Sequence, residues 1–475
     1  VTTTLYWHDY ETFGRDPRRD RAAQFAGVRT DEDLNIIGEP LMLYCRPAED
    51  FLPDPESCLI TGITPQHAAR QGVTEAEFIA RIHDELAAPG TCGVGYNTLR
   101  FDDEFTRNLL YRNFYDPYAR EWQHGCSRWD ILDMVRLTWA LRPEGIQWPT
   151  HDDGRPSFKL EQLSAANGLQ HDAAHDALSD VLATIAMAKL IKTTQPKLYD
   201  YVYQMRDKRK VGELIDLQEK RPLLHVSGMY PVEQGCLALV APIAMHPTNK
   251  NEVVVFDLRA DPTPLFELDI DAIRERLFTK ADQLPEGVGR LPLKTIHLNK
   301  CPVVASAKLL EPKLAERWQV DRAQCEAHWQ MLRQWDLSQK LATVFERPER
   351  EPLTDPDQML YSGFFGPKDK AQINKIRAST PVELARQHFD FEDSRLPELL
   401  FRYRARNFPE TLSDAEAAQW AEYREWRLTD PAGGASLTID DYLAKIELLQ
   451  ADPAMTPDQA QVLDALMAYA EQLMG

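Results

Sequence analysis

Trp7-His8-Asp9-Tyr10-Glu11-Thr12-Phe13 follows a short apolar run, Leu5 to Trp7, near the start of the chain. The run reads as a first strand. Side chains alternate faces along a strand, so Asp9 and Glu11 point the same way. Neighbouring carboxylates repel, and neither residue type favours a strand interior. A fold that keeps the two together calls for a cation, and such hard oxygen ligands suit Mg2+ or Mn2+. Taken alone, the pair is equally an edge strand with two solvated acids. The rest of the chain decides between these readings.

The 475 residues suffice for two to four domains, each with its own core. Hydrophobic residues make up 43% and charged residues 27%, an ordinary globular balance. No run of eighteen apolar residues suggests a membrane span. The opening strand leaves no room for a basic segment followed by an apolar one, so no secretory signal is expected. The seven cysteines (45, 58, 92, 126, 236, 301 and 325) have no CxxC spacing and read as reduced thiols of a cytoplasmic protein. A net charge of −20 argues naively against a nucleic-acid partner. It decides little, because a local groove of Lys and Arg can track phosphates on an otherwise acidic surface.

Beyond a polar turn, 24–30 and 40–46 continue a three-stranded meander. Thr64-Pro65 starts a short helix, and Thr74 with Glu77 forms a capping box for a helix to Ala87. A fourth strand, Cys92 to Tyr96, leads to the acidic triplet Asp102-Asp103-Glu104, which opens another helix. Acids in a first helical turn are normal partners of the helix dipole. Gly93-x-Gly95 lacks the third glycine of a dinucleotide fingerprint, and no GxxxxGK[ST] occurs. Helices are expected over Trp129 to Leu141, Lys159 to Asn167, and from near His175 to Thr193. On a continuous helix His175 and Asp180 stand about 140° apart. They serve one site only if His175 lies in the loop or first turn.

The pattern Asp9-x-Glu11, Asp102, His175-x4-Asp180 resembles the DEDD-type 3′–5′ exonucleases, in the branch whose last motif carries a histidine. The surrounding words narrow the resemblance to the bacterial exonuclease I family: HDYETFG at 8–14, TGITP at 61–65, RFDDE at 100–104, SRWDILD at 127–133 and HDALSD at 175–180. It continues through HVSGM at 225–229, LNKCPV at 298–303, LYSGFF at 360–365 and FRYRARNFPETL at 401–412, so it spans essentially the whole chain. It implies an α/β, ribonuclease H-like exonuclease domain with a mixed sheet over 1–195. An SH3-like β barrel domain over 196–349 and an α-helical C-terminal domain over 350–475 follow.

Phosphodiester cleavage builds charge on attacking, leaving and non-bridging oxygens, which two divalent ions can stabilise. The resemblance implies that Asp9, Glu11 and Asp180 hold one Mg2+ with the scissile phosphate. Asp9 bridges to a second ion, on which Asp102 acts, and Mn2+ can substitute. His175 is the expected general base, its ordinary pKa of about 6.5 suiting neutral pH. Glu11, Thr12 and Lys159 are expected at the 3′-terminal nucleotide. Lys159 stands where the family has arginine and loses its bidentate geometry. Arg107, Tyr118, Trp122 and Arg136 are expected along the DNA path. Without the resemblance, Tyr118 and Trp122 read as core.

The second half opens with a basic cluster, Arg206, Lys208, Arg209 and Lys210, then short β-like runs at 223–226, 237–241, 252–258 and 294–298. Helices follow from Pro312, and Pro348 to Asp357 reads as a Pro- and acid-rich linker. By resemblance, Lys208, Asn251, Asn299, Tyr361 and Phe364 contact DNA, the two aromatics closing a ring around the strand. The resemblance also implies binding of the acidic tail of single-stranded DNA-binding protein by Arg142, Arg221, Arg322 and Arg333. Glu311 falls where a basic residue is expected there. Those arginines equally suit ordinary surface ion pairs. The expected function is processive 3′–5′ degradation of single-stranded DNA to 5′-mononucleotides, in DNA repair and recombination, by a monomer. Two rivals remain: a 3′–5′ exoribonuclease or proofreading exonuclease with the same site, and a catalytically silent DNA-binding scaffold.

Overall fold

Four strands surround the opening motif: β1 (Thr4–Thr12), β2 (Ala22–Thr30), β3 (Ile36–Tyr44) and β4 (Thr91–Gly95). They lie in the order β3-β2-β1-β4. β1 is antiparallel to β2 and parallel to β4, which makes the sheet mixed. The motif therefore sits on a central strand, hydrogen-bonded on both sides, and the edge-strand reading fails. One face of β1 sends Tyr6 and Tyr10 into a core with Phe25, Phe78, Ile82 and Leu109. The opposite face presents Asp9 and Glu11.

The computed structural model describes residues 2–169, 176–346 and 352–474. They fall into two units, one drawn from 1–127, 171–184 and 351–475, the other from 128–170 and 185–350. In the first, the C-terminal helices share a core with the sheet. Phe13, directly after β1, packs with Phe51, Tyr442, Ile446, Leu463 and Leu466. The helix Glu75–Leu86 is capped as expected at its start, Thr74 accepting the Glu77 N–H. The reciprocal half of the capping box is replaced, since the Glu77 carboxylate pairs with Arg81.

The expected linker before Asp357 is different in kind where it is described. Asp357 is fully buried and accepts from Arg402 (3.1 Å) and Arg406 (2.6 Å), while Asp355 accepts from Arg402 (2.6 Å) and Arg427 (3.1 Å). Arg406 also binds the buried Asp50 at 2.7 Å. A segment rich in acid is therefore an anchor, because its partners lie on two later helices, Arg395–Asn407 and Asp414–Thr429. The guanidinium groups of Arg406 and its neighbours hold Asp50 and Asp357 below the ordinary carboxylate range, against the opposing effect of burial.

In the second unit, 129–141 is not one helix. A short strand, β5 (Ser127–Asp130), precedes the helix Leu132–Leu141, and the apolar residues of the two run together without a break in the sequence. The β region forms a five-stranded antiparallel sheet in the order β10-β6-β7-β8-β9. Its members are β6 (Leu223–Val226), β7 (Leu237–Met245), β8 (Glu252–Asp257), β9 (Leu293–His297) and β10 (Val303–Ser306), the last unforeseen. It is a curled half-barrel around Val240, Val253, Val255 and Ile296 rather than a closed barrel. Pro242 is tolerated inside β7 because it sits at a bulge. Gly235 has φ +76°, and a Cβ there would stand 2.7 Å from the Trp318 ring, so the turn before β7 needs glycine on both counts.

Replacing Arg406 by Met leaves Asp50 and Asp357 as buried, under-compensated charges. The expected cost is about 3–5 kcal/mol, read by chemical denaturation. The ion pairs contribute stability above the ordinary carboxylate range. That stability is lost as pH falls below about 4 toward the depressed folded values, so R406M shows a shallower acid-unfolding slope than the parent.

Candidate active site

β1 supplies Asp9 and Glu11, and the helix Ala177–Thr194 supplies Asp180. Ligand oxygens of all three carboxylates lie within 4.8 Å of one another. A buried amide sets this meeting. Gln24 pairs with Glu11 across β2 and β1, and its side chain donates to Asp176 (3.2 Å) and accepts the Ala177 N–H (3.2 Å). The start of the helix is thereby tied to the sheet one turn before Asp180.

Asp102, the first residue of the helix Asp102–Arg112, accepts the Tyr10 N–H at 3.1 Å. Thr106 holds the same corner, its hydroxyl donating to the Asp102 carbonyl at 2.9 Å and lying within hydrogen-bond distance of the Tyr10 hydroxyl at 3.0 Å. The acidic triplet is not a solvated dipole partner. Asp102 and Asp103 are buried, Asp103 pairs with the buried Arg120, and Glu104 pairs with Arg107.

Burial and mutual repulsion raise the proton affinity of this cluster. Asp9 is pushed well above the ordinary range, first by burial, then by Asp102, Glu11 and Asp180. Glu11 is pushed up to about 8 by burial, then by Asp180 and Asp102. An all-oxygen, anionic donor set, with Glu11 buried and Asp9 and Asp180 half-buried, fits a hard divalent cation, whose charge removes the repulsion. His175 lies outside the described residues.

The other expected residues divide. Thr12 is buried, its hydroxyl donating to the Gly14 carbonyl at 2.7 Å. Arg107 is not a free cation. It binds both oxygens of Glu121 (2.7 and 2.9 Å), Glu104 (2.7 Å) and the Tyr361 hydroxyl (3.2 Å). Tyr361 in turn donates to Glu104. Trp122 and Phe364 are 66% and 83% exposed, so neither is a core residue, and Phe364 meets Tyr118 edge-on at 5.8 Å. In the second unit Lys159, Lys208 and Asn299 are exposed and Asn251 half-buried. Arg136 is paired with Asp133 at 2.6 Å. Arg221 pairs with Asp216, and Arg333 with Glu219, two acids of one loop. Arg322 and Glu311 are exposed, and Arg142 donates to the Leu141 carbonyl at 2.7 Å.

Sequence reasoning missed Gln24, Asp176, Arg120 and Glu121. Asp176 lies inside the HDALSD word and was open to notice. The others are polar residues whose partners are far away in sequence.

Comparison with known proteins agrees along the chain. The descriptions Exonuclease, Exonuclease I SH3-like domain and Exonuclease I C-terminal domain match residues 6–188, 206–347 and 354–473. The chain belongs to the Exonuclease I family. Exodeoxyribonuclease I of Escherichia coli (strain K12) is 48% identical over 476 residues, covering 99% of this chain and 98% of that protein. Among solved structures, a moderately thermophilic Exonuclease I from Methylocaldum szegediense superposes with a TM-score of 0.96 at 54% identity, covering both chains completely. A zinc-bound E. coli Exonuclease I–single-stranded DNA complex gives 0.95 at 46%, again with full coverage of both.

The raised Glu11 carboxyl has a stability consequence with a definite sign. A carboxyl that holds its proton more tightly when folded stabilises at low pH, and that contribution is lost as pH rises from its ordinary value through about 8. In EDTA, melting temperature should fall between about pH 5 and pH 9. Glu11→Gln should flatten part of the fall and gain on the order of 2 kcal/mol at the alkaline end. Added MgCl2 should stabilise the parent more than E11Q.

Proposed function

We propose that this protein is a divalent-metal-dependent 3′–5′ exodeoxyribonuclease that degrades single-stranded DNA processively to 5′-mononucleotides. The observation that carries the reading is the convergence of Asp9, Glu11 and Asp180 beside Asp102, in a chain that matches Exonuclease I from end to end. Asp9, Glu11 and Asp180 would hold one ion, with Asp9 and Asp102 serving a second. Mg2+ is the proposed ion, with Mn2+ able to replace it. When bound, the metal supplies Lewis-acid stabilisation of the charge that develops on phosphate and leaving oxygen.

The chain's own residues do the rest. Glu11 and Thr12 border the 3′-terminal nucleotide, and Lys159 offers its phosphate a cation. His175 takes a proton from the attacking water. Tyr118, Trp122, Tyr361 and Phe364 offer π-faces to successive bases, each worth about 1–3 kcal/mol and indifferent to sequence. Arg136, Lys208, Asn251 and Asn299 supply polar contacts to the strand. Arg107 works by holding Tyr361 and Glu121 in place.

The wider setting is proposed on the family relationship. It comprises DNA repair and recombination in the cytoplasm, a monomeric enzyme, and three domains over 1–195, 196–349 and 350–475. A partner tail of acidic residues would be taken by Arg142, Arg221, Arg322 and Arg333. For Arg221 and Arg333 that requires exchanging the acids of the 216–221 loop for the tail.

A single-stranded oligodeoxynucleotide labelled at its 5′ end tests the central reading. A ladder of shortening products in Mg2+ and none in EDTA is expected; uncut DNA in both lanes despite measurable binding would overturn it in favour of a scaffold. An equal rate on a ribo-oligomer of the same sequence would favour an exoribonuclease. His175→Ala should retain a trace of activity that rises with pH, because hydroxide replaces the base. A flat profile for H175A counts against that role.

A further inference from the structure

Glu11, Gln24 and Tyr44 stand opposite one another on β1, β2 and β3, so their side chains share one face of the sheet. Gln24, in the middle of this row, is 1% exposed. Its amide is fixed by partners of opposite kind. The nitrogen faces acceptors, Asp176 Oδ1 at 3.2 Å and the Tyr44 hydroxyl at 3.0 Å. The oxygen accepts the Ala177 N–H at 3.2 Å. A flipped amide would set oxygen against carboxylate and N–H against N–H. Glutamate, of the same length, would set one carboxylate against another. The position therefore selects an amide, not polar residues in general.

What the amide holds is the start of a helix. Asp176 caps Ala177–Thr194, accepting the Ser179 N–H with its carboxylate (3.3 Å) and the Asp180 N–H with its carbonyl (3.1 Å). The Ala177 N–H is one of the donors that a helix leaves without an internal partner. Asp180 follows within that first turn, so its distance from Glu11 depends on the two Gln24 bonds. That distance matters to the ion. Cis ligand oxygens on an octahedral ion stand about 2.9 Å apart for Mg2+ and about 3.4 Å for Ca2+, from bond lengths of about 2.05 and 2.4 Å. Mutual repulsion of Asp9, Glu11 and Asp180 drives the gap wider, toward the larger ion.

We propose that Gln24 is a positioning residue that holds Asp180 at the separation from Asp9 and Glu11 required by a small divalent ion, and that it thereby sets the preference of the centre for Mg2+ over Ca2+. The inference rests on the proposed metal reading and extends it to the choice of ion. Gln24 acts through the helix start, with two directional bonds where packing alone would let the carboxylates relax apart. Ca2+ accepts about six to eight oxygens in a flexible geometry and tolerates that relaxation, whereas Mg2+ demands a near-ideal octahedron.

The test uses full-length protein without DNA. Bound Mn2+ is read by electron paramagnetic resonance and displaced with Mg2+ or with Ca2+, which gives a dissociation constant for each. In Gln24→Met the Mg2+ constant should rise about tenfold or more, with Ca2+ within about threefold of the parent. Gln24→Glu should do at least as much harm. Adding Asp176→Asn to it should return Mg2+ to within about threefold of the parent, because the swapped pair restores the bond in the reverse direction at unchanged net charge. Tyr44→Phe keeps both bonds to the helix and should stay within about twofold. Thermal melts in EDTA check each fold, and where Q24M does not fold, Q24E and the swapped pair carry the comparison. Equal weakening of both ions would make Gln24 merely structural and overturn the proposal, as would a folded Q24E/D176N that stays weak. An unaltered Mg2+ constant in Q24M overturns it and leaves the metal reading standing. A parent that binds no Mn2+ sinks the metal reading and this inference with it.

Discussion

Carboxylates crowded at Asp9, Glu11, Asp102 and Asp180 repel one another, and much of the first unit is arranged to stop them from moving apart. β1 cannot shift, because both its edges are hydrogen-bonded to neighbours. Asp102 is fastened to that strand through the Tyr10 N–H, and the helix bearing Asp180 is fastened to the next strand by Gln24. The repulsion is thus stored in a rigid frame and released only by protons or by a cation. This is preorganisation in the usual sense for enzymes: the cost of assembling charge is met in folding, before substrate arrives.

A second electrostatic system has the opposite sign of effect. Around Asp50 and Asp357 the charges are complementary, and Arg406, Arg427, Arg402 and Arg21 lower the proton affinity of the buried acids. The two systems sit in one unit and serve different ends. One keeps a site hungry for a cation. The other pins the segment from which Tyr361 and Phe364 project. Between them stands Arg107, whose four hydrogen bonds join the helix of Asp102 to Glu121 and Tyr361. Its charge is spent on geometry, which places it apart from the exposed aromatics that face solvent.

How far these features could be read from the residues depends on their range. β1, the Thr64 and Thr74 caps and the helix opening at Asp102 rest on neighbours within a few positions, and they were legible. The acids at 9, 11, 102 and 180 were legible through their words, and the structure brings Asp9, Glu11 and Asp180 together. The partners of Asp357 lie on helices dozens of residues away, so its segment looked like a solvated linker. Arg107 was placed along the DNA path by resemblance alone, and its acid at 121, fourteen residues on, gives no local sign of their pairing. β5 merges with the apolar pattern of the helix that follows it, and β10 follows the LNKCPV word without a run of its own having been read there. The curl of the β sheet short of closure depends on which ends pair, and strand spacing does not encode that.

Phe13 leaves the end of the strand that carries Asp9 and Glu11 and is buried by helices hundreds of residues later, while Asp50 meets Arg406, 356 positions further along the chain. During synthesis at about 5–20 residues per second, those partners emerge roughly 20–90 s after the residues they complete. A nascent chain on the ribosome therefore carries all of its acidic residues for the centre long before it carries the helices that clamp the strand holding them. The strand that carries Asp9 and Glu11 is thus backed at its end by Phe13 packing only once the late helices have been made.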